Sequence, residues 1–288
     1  MLDLKMYKSD AENMWCPGCG NFSILEALKM ALAELDLDQG KYVLVSGIGQ
    51  AAKTPHYIKS NTFHGLHGRA LPAAFGVKAA NKNLKVIALT GDGDGYGEGG
   101  NHLIHSLRRN INIAHFVHNN QIYGLTKGQG SPTTALNQKT TLQLDGVKVK
   151  PFNPISFAIS QEIGFVARSF SGDISHLKEM MKAAILYDGY ALLDILQPCV
   201  TFNKINTFKW YKDRVYKLGD DYDPYDINLA FKKSMEHLKS NKIPIGIIYK
   251  NKEAISYIKR HDVLNNNFSL TSINKDKNKY KKYLNDFR

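Results

Sequence analysis

The sequence has too few cysteines to be held together by disulfides: three in 288 residues. In a chain with no secretory features they read as metal ligands or buried thiols. No apolar run approaches the roughly 18 residues that span a bilayer, so membrane insertion is not expected. The opening MLDLKMYKSD lacks the apolar core of a signal peptide, which makes the cytoplasm the expected compartment. No internal repeat is visible, and no sequence motif for nucleic-acid binding.

Acidic residues are the scarcer charge, 26 against 38 basic, for a net charge of +12. Such a balance can mark a nucleic-acid binder, but its distribution argues otherwise. Residues 251–288 hold seven lysines and two arginines against four acids. That Asn-, Lys- and Tyr-rich stretch reads as a poorly packed basic tail. A basic body also suits anionic substrates and acidic protein partners. Nucleic acid is therefore not an expected partner.

What the chain does have is core-forming sequence: 43% of its residues are hydrophobic, and the length can bury a sizeable core. Apolar strands are expected at 42–46, 84–90, 113–118, 165–169, 190–196 and 243–249. Helical spacing is expected at 22–35, with Asn21 as its N-cap, and at 70–80, 100–109, 152–162 and 176–186. Alternating units of this kind predict an α/β fold: a doubly wound, mostly parallel sheet with helices on both faces. Residues 135–151 read as a long loop. Residues 200–250 read as a C-terminal arm to a domain spanning 1–250.

The most informative stretch is TGDGDGYGEGGNHLIHSLRRNINIAHFVHNN, from Thr90 to Asn120. Asp92 follows one apolar strand and Asn120 follows the next, 28 residues later. That separation fits one strand–helix–strand crossover, which puts both side chains at the same carboxyl edge. A hard cation bridging a diphosphate needs a carboxylate and an amide oxygen there, with glycines where backbone approaches phosphate. The alternative is a tight turn that uses glycine only for its flexibility.

GDG followed by NN at this spacing resembles the thiamine diphosphate motif. The blocks WCPGCGN at 15–21, SGIG at 46–49, LHGRA at 66–70, GLTKGQ at 124–129, SPT at 131–133 and QPC at 197–199 narrow it. Together they resemble the β subunit of two-subunit 2-oxoacid:ferredoxin oxidoreductases over roughly residues 7–250. The resemblance implies thiamine diphosphate and Mg²⁺ as cofactors, and an α subunit, ferredoxin, coenzyme A and a 2-oxoacid as partners. GLTKGQ-x-SPT looks more like the 2-oxoglutarate and broad-specificity branch; pyruvate or a branched-chain 2-oxoacid stays open. In this family the glutamate that activates the cofactor comes from the α subunit, so the chain alone is expected to be inactive.

Residue roles follow on the same terms. Mg²⁺ would take Asp92, the Asn120 side chain and, by the resemblance, the Ile122 carbonyl. Gly91, Gly93 and Asp94 would line the diphosphate, although Asp94 could instead cap the next helix. Gly47, Ile48 and Gly49 would form the opposite wall, with Gly124, Leu125 and Thr126 also at the cofactor. His67, beside Arg69, would bond diphosphate or substrate, or be a buried structural histidine. Lys53 and Lys127 would bind the substrate carboxylate.

Cys16, Cys19 and Cys199 fall where the family ligates an iron–sulfur cluster. The fourth cysteine is replaced by Gln50. The favoured reading is a [4Fe–4S] or [3Fe–4S] cluster; zinc held with a histidine, or no metal, stays open. Competing functions are a non-oxidative thiamine diphosphate decarboxylase or synthase, and a non-catalytic zinc- or partner-binding module.

Overall fold

Continuous runs rich in β-branched and aliphatic residues decide where the central strands form. The computed structural model describes residues 2–265. Its strands are β1 (Tyr42–Ser46), β2 (Thr62–His64), β3 (Lys85–Gly91), β4 (Ile113–Asn119), β5 (Ile122–Tyr123), β6 (Gln129–Gly130), β7 (Phe165–Phe170), β8 (Tyr190–Leu196), β9 (Val215–Lys217) and β10 (Ile243–Lys250). All but β5 and β6 form one sheet in the order β2-β1-β3-β4-β8-β7-β10-β9. The neighbours from β2 to β7 run parallel, and β10 lies antiparallel against β7.

Each central strand is buried on both faces, which is why the runs read as continuously apolar. Successive residues still serve different layers. Tyr42 and Leu44 join Ile24, Leu28, Leu177 and Met181 on one face. Val43 and Val45 join Leu71, Leu103, Ile155 and Ile159 on the other. The first layer holds helices α1 (Gly20–Glu34) and α5 (Ile174–Leu186). The second holds α2 (Ala70–Ala80), α3 (Gly100–Arg109), α4 (Pro154–Ser160) and, further along, α7 (Ile227–Ser234); α6 (Phe208–Lys212) lies between β8 and β9 in sequence. Full burial of each such Leu or Ile contributes about 1.5–3 kcal/mol. The expected doubly wound α/β architecture is therefore the observed one.

Helix ends show where local signals were read well and where not. Asn153 caps α4 by accepting the Ser156 N–H at 3.2 Å, and Asp173 caps α5 through His176 at 3.0 Å. Asn21 does not cap α1. It lies inside the first turn, 1% exposed, with Oδ1 2.8 Å from His118 Nδ1, and the cap position falls to Cys19. A buried tertiary partner has won over the local backbone.

The C-terminal third is more integrated than the sequence implies. β10 and β9 extend the main sheet, and Phe170, Leu196, Tyr211, Ile243 and Ile245 form a third apolar cluster across that seam. Residues 251–265, expected to start a loose tail, dock onto the α2–α3 side. Tyr257 N–H bonds Asn110 O at 2.9 Å, Asn110 Nδ2 bonds Ile255 O at 3.1 Å, and the Tyr257 ring packs on Phe75. The rest of that tail lies outside the described residues. Among the described residues no helix is long and apolar enough to cross a membrane.

Candidate active site

Parallel pairing puts Gly91 of β3 beside His118 of β4. Asp92 and the Asn119–Asn120 pair therefore leave the sheet side by side at its carboxyl edge, where open α/β sheets bind ligands. Asp92 is 1% exposed. Its Oδ2 accepts hydrogen bonds from Ser131 Oγ and Thr133 Oγ1, each at 2.5 Å. Burial pushes the Asp92 carboxyl up to about 6, and the two hydroxyls pull against that shift.

Those hydroxyls arrive through a small ribbon. β5 and β6 pair antiparallel with Ile122 opposite Gly130, which folds 131–134 back under the strand ends. Sequence reading placed Ser131 and Thr133 in a block but assigned them no role. The signal was a pair of hydroxyl residues two apart, directly after a glycine-bounded turn.

Asn120 Oδ1 accepts the Ile122 N–H at 3.0 Å. An amide oxygen has a second lone pair, so this bond steers Asn120 without exhausting it. The next layer is a buried network: Asn119 Nδ2 and Tyr96 OH each donate to Asp194 Oδ1 at 3.0 Å, and Arg168 Nε bonds Asp194 Oδ2 at 3.2 Å. No sequence signal pointed to Asp194, because it stands in an otherwise apolar strand.

After Asp92 the chain enters a π-helical turn, Gly93–Glu98, closed by Gly99 N–H reaching back to Asp94 O at 2.8 Å. Tyr123 lies across it, so closely that a Cβ on Gly93 would overlap the ring. The Tyr123 hydroxyl donates to both oxygens of Glu98, 3.2 Å away. His67 Nε2 stands 3.7 Å from Glu98 Oε2 and 3.7 Å from Asp94 Oδ1. His67 is thus half-exposed at the mouth and is not a buried structural histidine.

Asp94 has a task beyond those expected. Its Oδ1 accepts Gly68 N–H at 2.6 Å and Ile48 N–H at 3.1 Å, clasping the 47–49 and 66–68 loops to the glycine turn. It does not cap α3, whose cap position is Gly99. Burial raises its pKa against those two amide bonds. Gly47 must be glycine here, since a Cβ would overlap the Asp94 carboxylate.

The remaining candidates are spread around this centre. Lys53 is half-buried on the helical turn Ala51–Tyr57. Leu125, Thr126 and Lys127 form the exposed tip of the β5–β6 ribbon, with Gly124 at its base. Lys127 adopts a left-handed φ of 75° there, which directs the chain back toward Gln129.

Asp94 Oδ2 and Asp94's neighbouring turn are buried, and that oxygen has no hydrogen-bond partner among the described residues. An unsatisfied oxygen is costly, and its presence beside the glycine turn fits a site completed by a ligand. The Asp92–Asn120 oxygen pair suits a hard divalent cation such as Mg²⁺.

The cysteines meet at the same carboxyl edge. Cys19 Sγ accepts Gln197 Nε2–H at 3.4 Å, and Cys199 Sγ accepts Phe202 N–H at 3.5 Å. Burial pushes the Cys19 thiol up to about 11, with Cys199 and Cys16 adding to the shift. Gln50 is tied to this loop, its carbonyl accepting Trp15 Nε1–H at 2.9 Å while its own Oε1 is buried without a partner among the described residues. Among the described residues, however, no group of three or more His, Cys, Asp or Glu side chains is arranged to hold a metal ion.

Comparison with known proteins shows what the whole chain is similar to. The family described as "Thiamine pyrophosphate enzyme, C-terminal TPP binding domain" matches residues 38–195. The family of the C-terminal region of the pyruvate ferredoxin oxidoreductase beta chain matches 199–266. The chain is 47% identical over 262 residues to the 2-oxoacid:ferredoxin oxidoreductase subunit beta of Saccharolobus solfataricus, covering 86% of this chain and 85% of that one. It is 46% identical over 199 residues to the 2-oxoglutarate oxidoreductase subunit KorB of Mycobacterium tuberculosis, covering 69% of this chain and 53% of that one. A solved structure, the 2-oxoglutarate:ferredoxin oxidoreductase from Magnetococcus marinus with 2-oxoglutarate, coenzyme A and succinyl-CoA bound, superposes with a TM-score of 0.89. The match there is 35% identity over 98% of this chain and 96% of the other.

Proposed function

The chain belongs to the beta subunits of the 2-oxoacid:ferredoxin oxidoreductases, and from that premise we propose that it serves an enzyme whose preferred substrate is 2-oxoglutarate. The observation that carries the reading is the juxtaposition of Asp92 and Asn120 beside a glycine turn. Support for the substrate comes from the 2-oxoglutarate oxidoreductases among its relatives and from the Magnetococcus marinus structure. Non-oxidative thiamine chemistry is the weaker reading, since the relatives named are oxidoreductases.

Thiamine diphosphate would supply an electron sink for the carbon left when CO₂ departs. This chain's residues hold its charged end. Asp92, the Asn120 side chain and the Ile122 carbonyl would hold Mg²⁺, while Ser131 and Thr133 fix the Asp92 carboxylate. Gly91 and Gly93 allow the backbone to approach the diphosphate, and the Asp94 clasp sets the facing wall of Gly47, Ile48 and Gly49. Gly124, Leu125 and Thr126 carry Lys127 toward the mouth, where Lys127, Lys53 and His67 would attract the two carboxylates of 2-oxoglutarate. An α subunit would complete the pocket, with coenzyme A and ferredoxin as co-substrates in the cytoplasm.

No electron-transfer step is assigned to the cysteines. The narrower proposal is that the Cys16, Cys19 and Cys199 edge, with Gln50 in place of a fourth thiol, is where an iron–sulfur centre would be held. Iron and acid-labile sulfide analysis of anaerobically purified protein tests it; iron-free protein with full turnover would refute it.

The substrate proposal is tested on the complex of this chain with its α partner. Coenzyme A-dependent reduction of ferredoxin should run at least tenfold faster in kcat/KM with 2-oxoglutarate than with pyruvate. Equal or reversed preference would overturn the assignment.

A further inference from the structure

A second cavity lies at the opposite edge of the sheet from Asp92. It encloses about 370 Å³ between the amino ends of β3 and β4, the end of α5 and the segment that follows β10. Seven residues of β3 separate the two sites, which at about 3.3 Å per residue places them roughly 20 Å apart.

The cavity is strongly cationic. Lys78, Lys82, Lys85 and Lys259 line it, and among the described residues Asp188 is the only acidic one that does. Asp188 is already engaged, by Lys259 Nζ at 2.5 Å and by the Asn112 side-chain amide. Lys78 is 6% exposed, and its ammonium donates to the carbonyls of Lys82 at 2.6 Å and Leu84 at 2.7 Å. Burial, and then the like charge of Lys85, push the Lys78 pKa down to about 8, with Asp188 pulling weakly the other way. Lys82 donates to the carbonyls of Leu264 and Asn265.

Two polar atoms on the wall are left over among the described residues. The Ser256 hydroxyl, on a residue 1% exposed, completes no hydrogen bond, although it is close enough to Asp188 to favour the carboxylate. Asn112 Oδ1 is buried without a partner as well. A buried ammonium beside a like charge is costly unless an anion compensates it, and an unused buried hydroxyl is costly unless it donates.

We propose that this cavity binds a phosphate-bearing metabolite of mononucleotide size or smaller. Lys85 and Lys78 face the phosphate charge, Ser256 donates its hydroxyl to a phosphate oxygen, and Asn112 Oδ1 accepts from a hydroxyl of the ligand. The volume is within the range of small-molecule pockets. The site is separate from the cofactor cleft and shares none of its residues.

Calorimetry on the complex of this chain with its α partner, presaturated with thiamine diphosphate and Mg²⁺, tests the proposal at constant ionic strength. Inorganic phosphate and AMP are the probes. One saturable site per chain is expected, with a submillimolar dissociation constant for at least one probe. AMP binding more tightly than phosphate assigns a nucleotide; the reverse assigns free phosphate. Lys85→Ala should weaken binding at least fivefold and leave 2-oxoacid turnover without either probe unchanged. Ser256→Ala, where it folds, should weaken binding about threefold. No saturable heat with either probe, or an unchanged affinity in Lys85→Ala, overturns it. Because the readout is binding, failure here is independent of which 2-oxoacid the enzyme uses.

Discussion

Thr133 Oγ1 stands 2.5 Å from Asp92 Oδ2 and 2.9 Å from Asn119 Oδ1, so one hydroxyl joins the two strand ends that frame the cleft. Both oxygens are acceptors and the hydroxyl has one proton, so the bond is bifurcated between them, with the larger share on the charged carboxylate. Thr133 therefore couples the orientation of Asp92 to the buried Asn119–Asp194–Arg168 network.

Thr133→Val keeps the shape and removes that bond. A hydrogen bond to a charged group contributes about 1.5–3 kcal/mol, so affinity for thiamine diphosphate with Mg²⁺ should fall roughly tenfold or more. Calorimetric titration of the complex checks this, and an affinity within twofold of the parent would sink the idea.

Asp92→Asn separates binding from stability. The buried carboxylate, with its pKa raised to about 6 by desolvation, is a cost that a neutral amide relieves in the cofactor-free protein. The variant should melt at or slightly above the parent temperature while Mg²⁺-dependent cofactor binding disappears. A large drop in melting temperature would mean that Asp92 is structural.

Glu98 holds Tyr123 over the glycine turn. Glu98→Ala frees the ring and should weaken cofactor binding about threefold to tenfold, the range of a lost hydrogen bond to a charged group near the surface. Glu98→Gln keeps an acceptor and should recover most of the loss. If both variants behave alike, charge rather than the latch is what matters at this position.

His115 and His118 are fully buried, and desolvation pushes both down to about 3. Their folded pKa lies below the unfolded value, so the unfolded state binds more protons between about 3 and 6.5. Their stabilisation is present above pH 6.5 and is lost as pH falls. Asp92 acts in the opposite sense, because its raised folded pKa favours the fold as pH falls toward 4. The net loss between pH 7.5 and 5.5 should be on the order of 1–3 kcal/mol, from about 1.4 kcal/mol per unit for each histidine less the carboxylate contribution. Denaturant melts at the two pH values check it, and His118→Asn should flatten the slope.

The placement of Asp92 and Asn120 side by side was legible because each follows a strand end and a fixed crossover length brings those ends together. Gly91 and Gly93 were legible for the same reason. Asp194 and Arg168 were not: each sits in an apolar strand, and their pairing spans β7 and β8. Asn21 misled because an N-cap signal and a buried partner look alike until His118 is placed opposite it. Glu98 and Tyr123 were quoted within motifs, yet their contact depends on how the β5–β6 ribbon folds back.

The order of apolar runs, the α/β class and the adjacency of the strand ends at Asp92 and Asn120 were determined by the sequence itself, since periodicity and crossover length are properties of neighbouring residues. Tertiary structure alone decided that Asp94 clasps two loops, that β9 and β10 join the main sheet, and that four lysines gather at its amino edge. Those outcomes depend on which distant segments share a desolvated space, and burial changes the energy of every polar group placed in it.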